Sequence, residues 1–301
     1  MDRASELALV VAVVDHGSFS AAAEALRLTP SAISKAVTRL ERRLGTRLLE
    51  RTTRRLSTTT EGDRYVAAGR RILAEIDEME AGIVEVRGRP QGLIRLSIGV
   101  AFAVHQLAPV LPVFRARYPD IALDLSVTDR MVDVLAEGVD VAIRTGPVID
   151  DRLVNRPFAS IRRVICASPA YLARFGHPTR VSDLKRHTCV NISASRHLSV
   201  WNFVEDGRAV QADTHDGHVL VDNAMGVLAL GLAGVGIVRL GDFLLSDALR
   251  SGALVELFQD SHVKTEVPVQ LVFAPGRQRL PRIRVFLDFI TEHFRAPPWK
   301  T

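Results

Sequence analysis

Residues 26–45, LRLTPSAISKAVTRLERRLG, constrain this chain more tightly than any other stretch. Thr29 followed by Pro30 is a helix start. The threonine hydroxyl accepts from an early helical N–H, and proline at the first position has its φ already set and no N–H left to satisfy. Downstream, Ile33, Val37, Leu40 and Leu44 recur at helical spacing and form a stripe for burial. Ser31, Ser34, Lys35, Thr38, Arg39 and Arg42 are left on the outer face. Hydroxyls and cations on one face suit either solvent or an anionic partner, and Arg42 and Arg43 taken alone fit solvent.

The flanking sequence favours the partner. A helix over about 4–15 is apolar almost all round, Gly17 stops it, and Ser18 caps SFSAAAEAL, whose alanines let helices approach closely. On the other side, RLLERTTRRLSTTT reads as a small hairpin with a cationic tip at Arg54 and Arg55. From Arg27 to Thr60 nine cations stand against Glu41 and Glu50, a net of +7 where all 301 residues carry +5. Positive charge is therefore concentrated on this segment. Two helices joined by a short turn, the second bearing hydroxyls and cations, make a helix-turn-helix. Such a helix fits the DNA major groove with Ser, Thr, Lys and Arg reaching base edges, while Arg51, Arg54 and Arg55 hold flanking phosphates.

Thr60 and Asp63 then open a long helix with a weak capping box. Along it Tyr65, Ala68, Ile72, Ile76, Met79, Ile83 and Val86 step by threes and fours, the spacing of a heptad seam. Its simplest partner is the same helix of a second chain. RGRPQG at 87–92 reads as a linker. Beyond it strands alternate with helices, including one expected from Asp129 to Gly138, and the near-continuous apolar strands predict a parallel sheet covered on both faces. Trp201 reads as core.

Enzymatic readings lack support in the sequence. GLAGVG at 231–236 has its glycines in the wrong order and at a helix end, so it does not cradle a phosphate. His215 and His218 form HxxH without carboxylate or cysteine partners, which favours a polar loop over a metal site. GxSxG is absent, and Cys166 and Cys189 read as two buried small apolar residues. No catalytic residue, metal ligand or cofactor is expected. LALVVAVV at 7–14 has the length of a secretory core but the wrong flanks, and no run approaches a membrane span, so a cytoplasmic protein is expected. A solute-binding module without DNA activity fits the second half of the chain but leaves the +7 segment unexplained.

HGSFSAAAEALRLTPSAISKAVTRLERRLGTRLLERTTRRLSTTTEG resembles the winged helix-turn-helix of LysR-type transcriptional regulators, and a weaker resemblance extends through the rest of the chain. It implies an N-terminal winged helix-turn-helix over residues 1–60 and a long linker helix over 61–87 that dimerises. It also implies a C-terminal two-lobed, periplasmic-binding-protein-like α/β effector domain over 93–301. Lobe one comprises 93–165 plus 267–301 and lobe two 166–266. The implied partners are double-stranded DNA, a second copy of the chain with dimers pairing into tetramers, and a small-molecule effector. Pro30, Ser31, Ser34, Lys35, Thr38 and Arg39 match the recognition helix, and Arg51, Arg54 and Arg55 match the wing. Arg27 departs from the family's turn glycine, at a cost of roughly 1 kcal/mol if its φ is positive.

Strand ends and helix N-termini converge on the cleft of such a domain. There Ala101 and Phe102 follow the first strand, Thr128 the second, Arg144 and Gly146 the third, and Asn223 opens a helix. Thr128 and Asn223 match positions that line the effector cleft in the family. They also fit a plain strand end and a plain helix cap, and Arg144 fits an ion pair with Asp140 or Asp150. Phe102 replaces the family's hydroxyl residue and points to an apolar or aromatic effector, or to none.

Overall fold

The computed structural model describes residues 2–51, 56–84, 89–193, 196–215 and 219–300. The chain divides into two compact units, Met1–Arg89 with Val132–Val139, and Pro90–Met131 with Asp140–Thr301.

In the first unit α1 (Arg3–Asp15), α2 (Phe19–Ala25) and α3 (Pro30–Leu44) precede the hairpin strands β1 (Leu49–Arg51) and β2 (Leu56–Thr58), and α4 (Thr60–Val84) follows. Each early helix starts on a side-chain cap: Asp2 accepts from Ser5 N at 2.7 Å, Ser18 from Ala21 N at 3.1 Å and Thr29 from Ala32 N at 3.2 Å. The turn between α2 and α3 is a Schellman motif, with Leu28 N donating to Ala23 O at 2.9 Å and Arg27 N to Glu24 O at 3.2 Å. Arg27 carries the left-handed residue of that motif at φ 54°. The core joins Val10 and Val13 of α1, Ala22 of α2 and Ile33, Val37 and Leu40 of α3.

Two local expectations shift. Leu44 is 40% exposed and the buried stripe of α3 takes Ala36 instead, because Leu44 is the last helical residue before Gly45 turns the chain left-handed. The cap of α4 is Thr59, whose Oγ1 accepts from Gly62 N at 2.9 Å, and Asp63 accepts from the Thr58 hydroxyl. α4 packs its Gly62–Val66–Gly69–Leu73 face on the core. A Cβ on Gly62 would stand 1.9 Å from Leu48 O and one on Gly69 2.6 Å from Leu7 Cδ1, so glycine sets this close approach. Ile72 stays 43% exposed, and Val86 lies outside the described residues.

The second unit opens with β3 (Gly92–Ile98), α5 (Val100–Phe102), a π-helical stretch Ala103–Leu107 and α6 (Ala108–Arg117). β4 (Ile121–Val127), β5 (Val141–Thr145), β6 (Val154–Ala167), α7 (Pro169–Phe175) and β7 (Cys189–Ile192) follow. Next come the hairpin β8 (Val200–Glu205) and β9 (Arg208–Asp213), then β10 (Val219–Val221), α8 (Ala224–Leu232), β11 (Ile237–Gly241) and α9 (Asp242–Arg250). β12 (Val255–Leu257), β13 (Glu266–Phe273) and α10 (Pro281–His293) complete the unit.

Two lobes share one strand. Lobe one orders its strands β6–β13–β5–β3–β4 and lobe two β10–β7–β11–β6, with β12 on the far side of β6. Within each lobe β3, β4 and β5, or β7, β10 and β11, run parallel, but β6 and β13 are antiparallel to their neighbours, so the expected all-parallel sheet is instead mixed. β6 changes lobes between adjacent residues: Arg162 pairs with Glu266 of β13 and Arg163 with Gly241 of β11. Pro157 sits inside this strand because the register slips between Val269 and Gln270, which absorbs the ladder bond that proline cannot donate.

The helix expected from Asp129 to Gly138 is a single turn. Asp133 Oδ1 accepts from Leu135 N and Ala136 N at 3.0 Å each, and Gly138 at φ 66° ends the turn, leaving too few residues for a helix. Trp201 is fully buried in the core of lobe two. Cys166 and Cys189 are free and buried, and desolvation pushes both thiols up to about 12.

Candidate nucleic-acid interface and ligand cleft

The burial of Ile33, Ala36, Val37 and Leu40 fixes the rotation of α3 and turns Ser31, Lys35, Thr38, Arg39 and Arg42 outward, with Ser34 half-buried beside them. Thr38 donates its hydroxyl proton to Ser34 O at 2.9 Å, so it meets a partner as an acceptor. Ser31 and Thr29 share a hydroxyl contact at 3.2 Å at the helix start, beside Pro30.

One acid reaches this face from another helix. Glu6 of α1, only 8% exposed, accepts from Arg43 Nη2 at 2.7 Å and meets Arg39 Nη2 at 3.2 Å. The Arg43 hydrogen bond is the main cause that holds the Glu6 carboxyl below the usual carboxylate range. Glu6 thus ties α1 to α3 and neutralises part of the cationic face. Arg51 ends β1 opposite Leu56, while Arg54 and Arg55 lie outside the described residues.

The second unit holds a cavity of about 560 Å³ where the two lobes meet. Phe102, Ile143, Ile161, Leu240 and Phe243 supply apolar wall, and Arg130, Arg144, Arg163 and Arg239 together with Asp129 and Asp222 supply charge. Phe102 is 3% exposed because its ring packs among Phe243 and Phe294, both at 5.6 Å, Trp299 at 6.0 Å and Phe158 at 6.1 Å. The helix start beside it is already occupied by an acid of this chain: Val100 N donates to Asp129 Oδ1 at 2.9 Å.

Of the residues named from the sequence, Ala101, Phe102, Thr128 and Arg144 line this cavity. Gly146 and Asn223 are not among its lining residues. Gly146 O accepts from the buried Gln270 side chain at 2.7 Å, and Asn223 caps α8 by accepting from Gly226 N at 2.8 Å. Thr128 Oγ1 accepts from Arg130 N at 3.2 Å, and Arg144 Nη2 donates to Ser97 Oγ at 2.7 Å. Asp140 is paired with Arg277 at 3.1 Å and Asp150 with Arg152 at 2.8 Å. His218 lies outside the described residues.

Sequence reasoning missed Arg163 and Arg239. The signal was an arginine inside an otherwise apolar strand, as in IVRL of β11. The β6–β11 register sets Arg239 against Ile165 and Arg163 against Gly241, so the two arginines are diagonal neighbours on one face. Arg239 Nη1 donates to Leu198 O and Val200 O at 3.3 Å each, while its Nε is buried without a partner. Among the described residues the Arg163 side chain makes no hydrogen bond or ion pair. Desolvation, and then the charge of Arg163, pulls Arg239 down to about 10, and desolvation lowers Arg163 as well.

Both parts of the chain match known protein families. Residues 4–63 match the family described as bacterial regulatory helix-turn-helix protein, lysR family, and residues 87–295 match the LysR substrate binding domain. The transcriptional regulator CrgA of Neisseria meningitidis serogroup C is 35% identical over 298 residues, 96% of each chain. A transcriptional repressor of Pseudomonas aeruginosa is 33% identical, covering 99% of this chain and 94% of its own. The solved structure of Neisseria meningitidis CrgA superposes with a TM-score of 0.65 at 34% identity, covering 97% of this chain and 99% of that one.

Proposed function

The chain belongs to the LysR family of DNA-binding transcriptional regulators, and from that premise we propose that a small molecule held between its lobes controls where its recognition helices lie on DNA. The observation that carries the reading is the two-sided α3, seated by Ile33, Val37 and Leu40 and offering Ser31, Ser34, Lys35, Thr38 and Arg39 to a major groove. Pro30 starts that helix, and Arg51, Arg54 and Arg55 hold the flanking backbone. Residues 1–60 form the DNA-binding domain, 61–87 the dimerising linker and 93–301 the effector domain, in a cytoplasmic homodimer that pairs into a tetramer. The effector enters beside Ala101, Phe102, Thr128 and Arg144, with Gly146 and Asn223 shaping the strand and helix ends behind them.

The mechanism is a population shift. Ligand bound between the lobes favours one degree of closure about the β6 handover at Arg162 and Arg163, and closure changes the spacing of recognition helices in the assembled dimers. Two-fold symmetry gives an imperfectly palindromic site.

The test is fluorescence anisotropy with the DNA flanking the protein's own gene. The expected complex is sequence-specific and weakens steeply with salt. Lys35→Ala relaxes base preference, whereas Arg54→Ala weakens binding to every sequence and reduces the log–log salt slope by about one. Binding indifferent to sequence would instead favour a nonspecific basic module.

A further inference from the structure

Residues Pro298–Lys300 form a single 3-10 turn after α10 and lie across the strands that join the two lobes. Resting on the reading that the lobes close about β6, we propose that this turn is a clasp. It holds lobe two at a set angle to lobe one, and its release shifts the closure equilibrium with no ligand present.

Two anchors fix the turn to the crossing strands. Lys300 Nζ donates to Ser160 Oγ of β6 at 2.7 Å and to Glu266 Oε1 of β13 at 3.0 Å, and Ser160 Oγ donates to Glu266 Oε2 at 2.9 Å. Trp299 Nε1 donates to Ser160 O at 3.0 Å. That carbonyl receives nothing from its partner across the ladder, because Pro268 has no N–H and turns its own carbonyl to Gly146 N at 2.8 Å. Both anchors lie just before the point, between Arg162 and Arg163, where β6 passes from lobe one to lobe two.

The indole carries the clasp into lobe two. Trp299 is buried, with its ring centroid 6.0 Å from Phe102 and 5.8 Å from Phe294, both of lobe one. It also lies 6.0 Å from Phe243, in the first turn of α9 in lobe two. Lobe one grips the same phenylalanine from a second side, where Gln106 Nε2 of the π-helical stretch donates to Phe243 O at 3.2 Å. Phe102 and Phe243 line the interlobe cavity and Trp299 does not, so the indole stands behind their rings. A rotation of lobe two moves Phe243 and shears this edge-on packing, which loses dispersion contact over fractions of an ångström. Packed contacts of this kind favour discrete positions over a continuous range. The turn is thus bonded to the pivot while its ring spans the pieces that move.

Amide hydrogen exchange is followed on the full-length protein, without ligand, in the wild type, Trp299→Phe, Trp299→Ala and Lys300→Met. Exchange is expected to accelerate about tenfold at residues 161–164 and 241–245 in Trp299→Ala and Lys300→Met, with β3 and β7 unchanged. Trp299→Phe keeps a ring against Phe243 and shows a smaller acceleration. Operator affinity falls about threefold in Trp299→Ala and Lys300→Met at an unchanged log–log salt slope, because closure shifts while every phosphate contact is kept. Lys300→Met removes the ammonium and leaves the buried ring in place, so the test stands even if Trp299→Ala does not fold.

Equal exchange rates in the wild type and Lys300→Met overturn the proposal. Acceleration spread evenly over both lobes also overturns it, since that marks a general stabilising contact. Acceleration confined to the two named segments, with operator affinity unchanged, supports the clasp and removes lobe closure as the control of DNA binding.

Discussion

Arg39 of α3 meets Glu6 of α1 at 3.2 Å, and the same carboxylate takes a 2.7 Å hydrogen bond from Arg43. A nearly buried acid thus restrains two cations on the face proposed to meet DNA. Glu6→Gln frees that charge while keeping the side chain's shape. Its expected effect is tighter binding to duplexes of any sequence, a log–log salt slope steeper by up to about one, and a smaller ratio of specific to nonspecific affinity. Anisotropy titrations across a salt series measure all three. An unchanged slope would show that Arg39 and Arg43 already reach phosphate without release from Glu6.

Arg27 supplies the left-handed residue between α2 and α3, at φ 54°. For a residue with a Cβ this region costs roughly 1–2 kcal/mol, and glycine's extra freedom in the unfolded chain returns part of the gain. Arg27→Gly is therefore expected to stabilise the N-terminal unit by about 1 kcal/mol, read as a higher denaturant midpoint at unchanged slope. A lower midpoint would mean that the arginine side chain contributes more than its backbone loses.

The contrast between what the sequence disclosed and what it concealed is physical. Ser18, Thr29 and Pro30 were legible because helix starts are decided by a few adjacent residues, and each cap forms the bond its side chain dictates. β6 escaped because Pro157 and the pair Arg162–Arg163 interrupt its apolar run, and only the slipped register of β13 makes room for the proline. The turn at 134–138 mimicked a helix because four or five residues cannot distinguish one turn from several. Arg163 and Arg239 are far apart in sequence, and only the pairing of β6 with β11 makes them neighbours.

Asp183 bears on the acid stability of lobe two. Its carboxylate accepts from Arg180 N at 2.9 Å, from Thr179 N at 3.0 Å and from Arg186 Nη2 at 2.8 Å. These bonds, that of Arg180 first, hold its carboxyl at about 2. In the unfolded chain an aspartate titrates near about 3.9. A folded value below the unfolded one means that the stabilisation is complete above that pH and is lost as pH falls toward the folded value. The wild type should therefore out-melt Asp183→Asn at neutral pH, with the gap closing once pH drops below about 4. Thermal unfolding over a pH series checks this, and a gap constant down to the acid limit would remove the carboxylate's charge from the account.

Ile72 stands 43% exposed on α4, while Val66 of the same helix is 3% exposed against the N-terminal core. One face of α4 is thus committed to its own domain, and a second face, carrying Ile72 in the heptad spacing with Ala68 and Ile76, is available to another helix. In the proposed dimer a branched apolar side chain left in water gains from burial in a coiled-coil seam, whereas a carboxylate there opposes its own copy across the two-fold axis. Ile72→Glu is expected to leave the fold intact, since the side chain touches solvent in the protomer, yet to shift the protein toward monomers in light scattering. Affinity for a two-site operator should fall toward that for a single half-site, because the recognition helices are no longer linked. A variant that retains the wild-type mass and operator affinity would place the dimer contact on another surface of the chain.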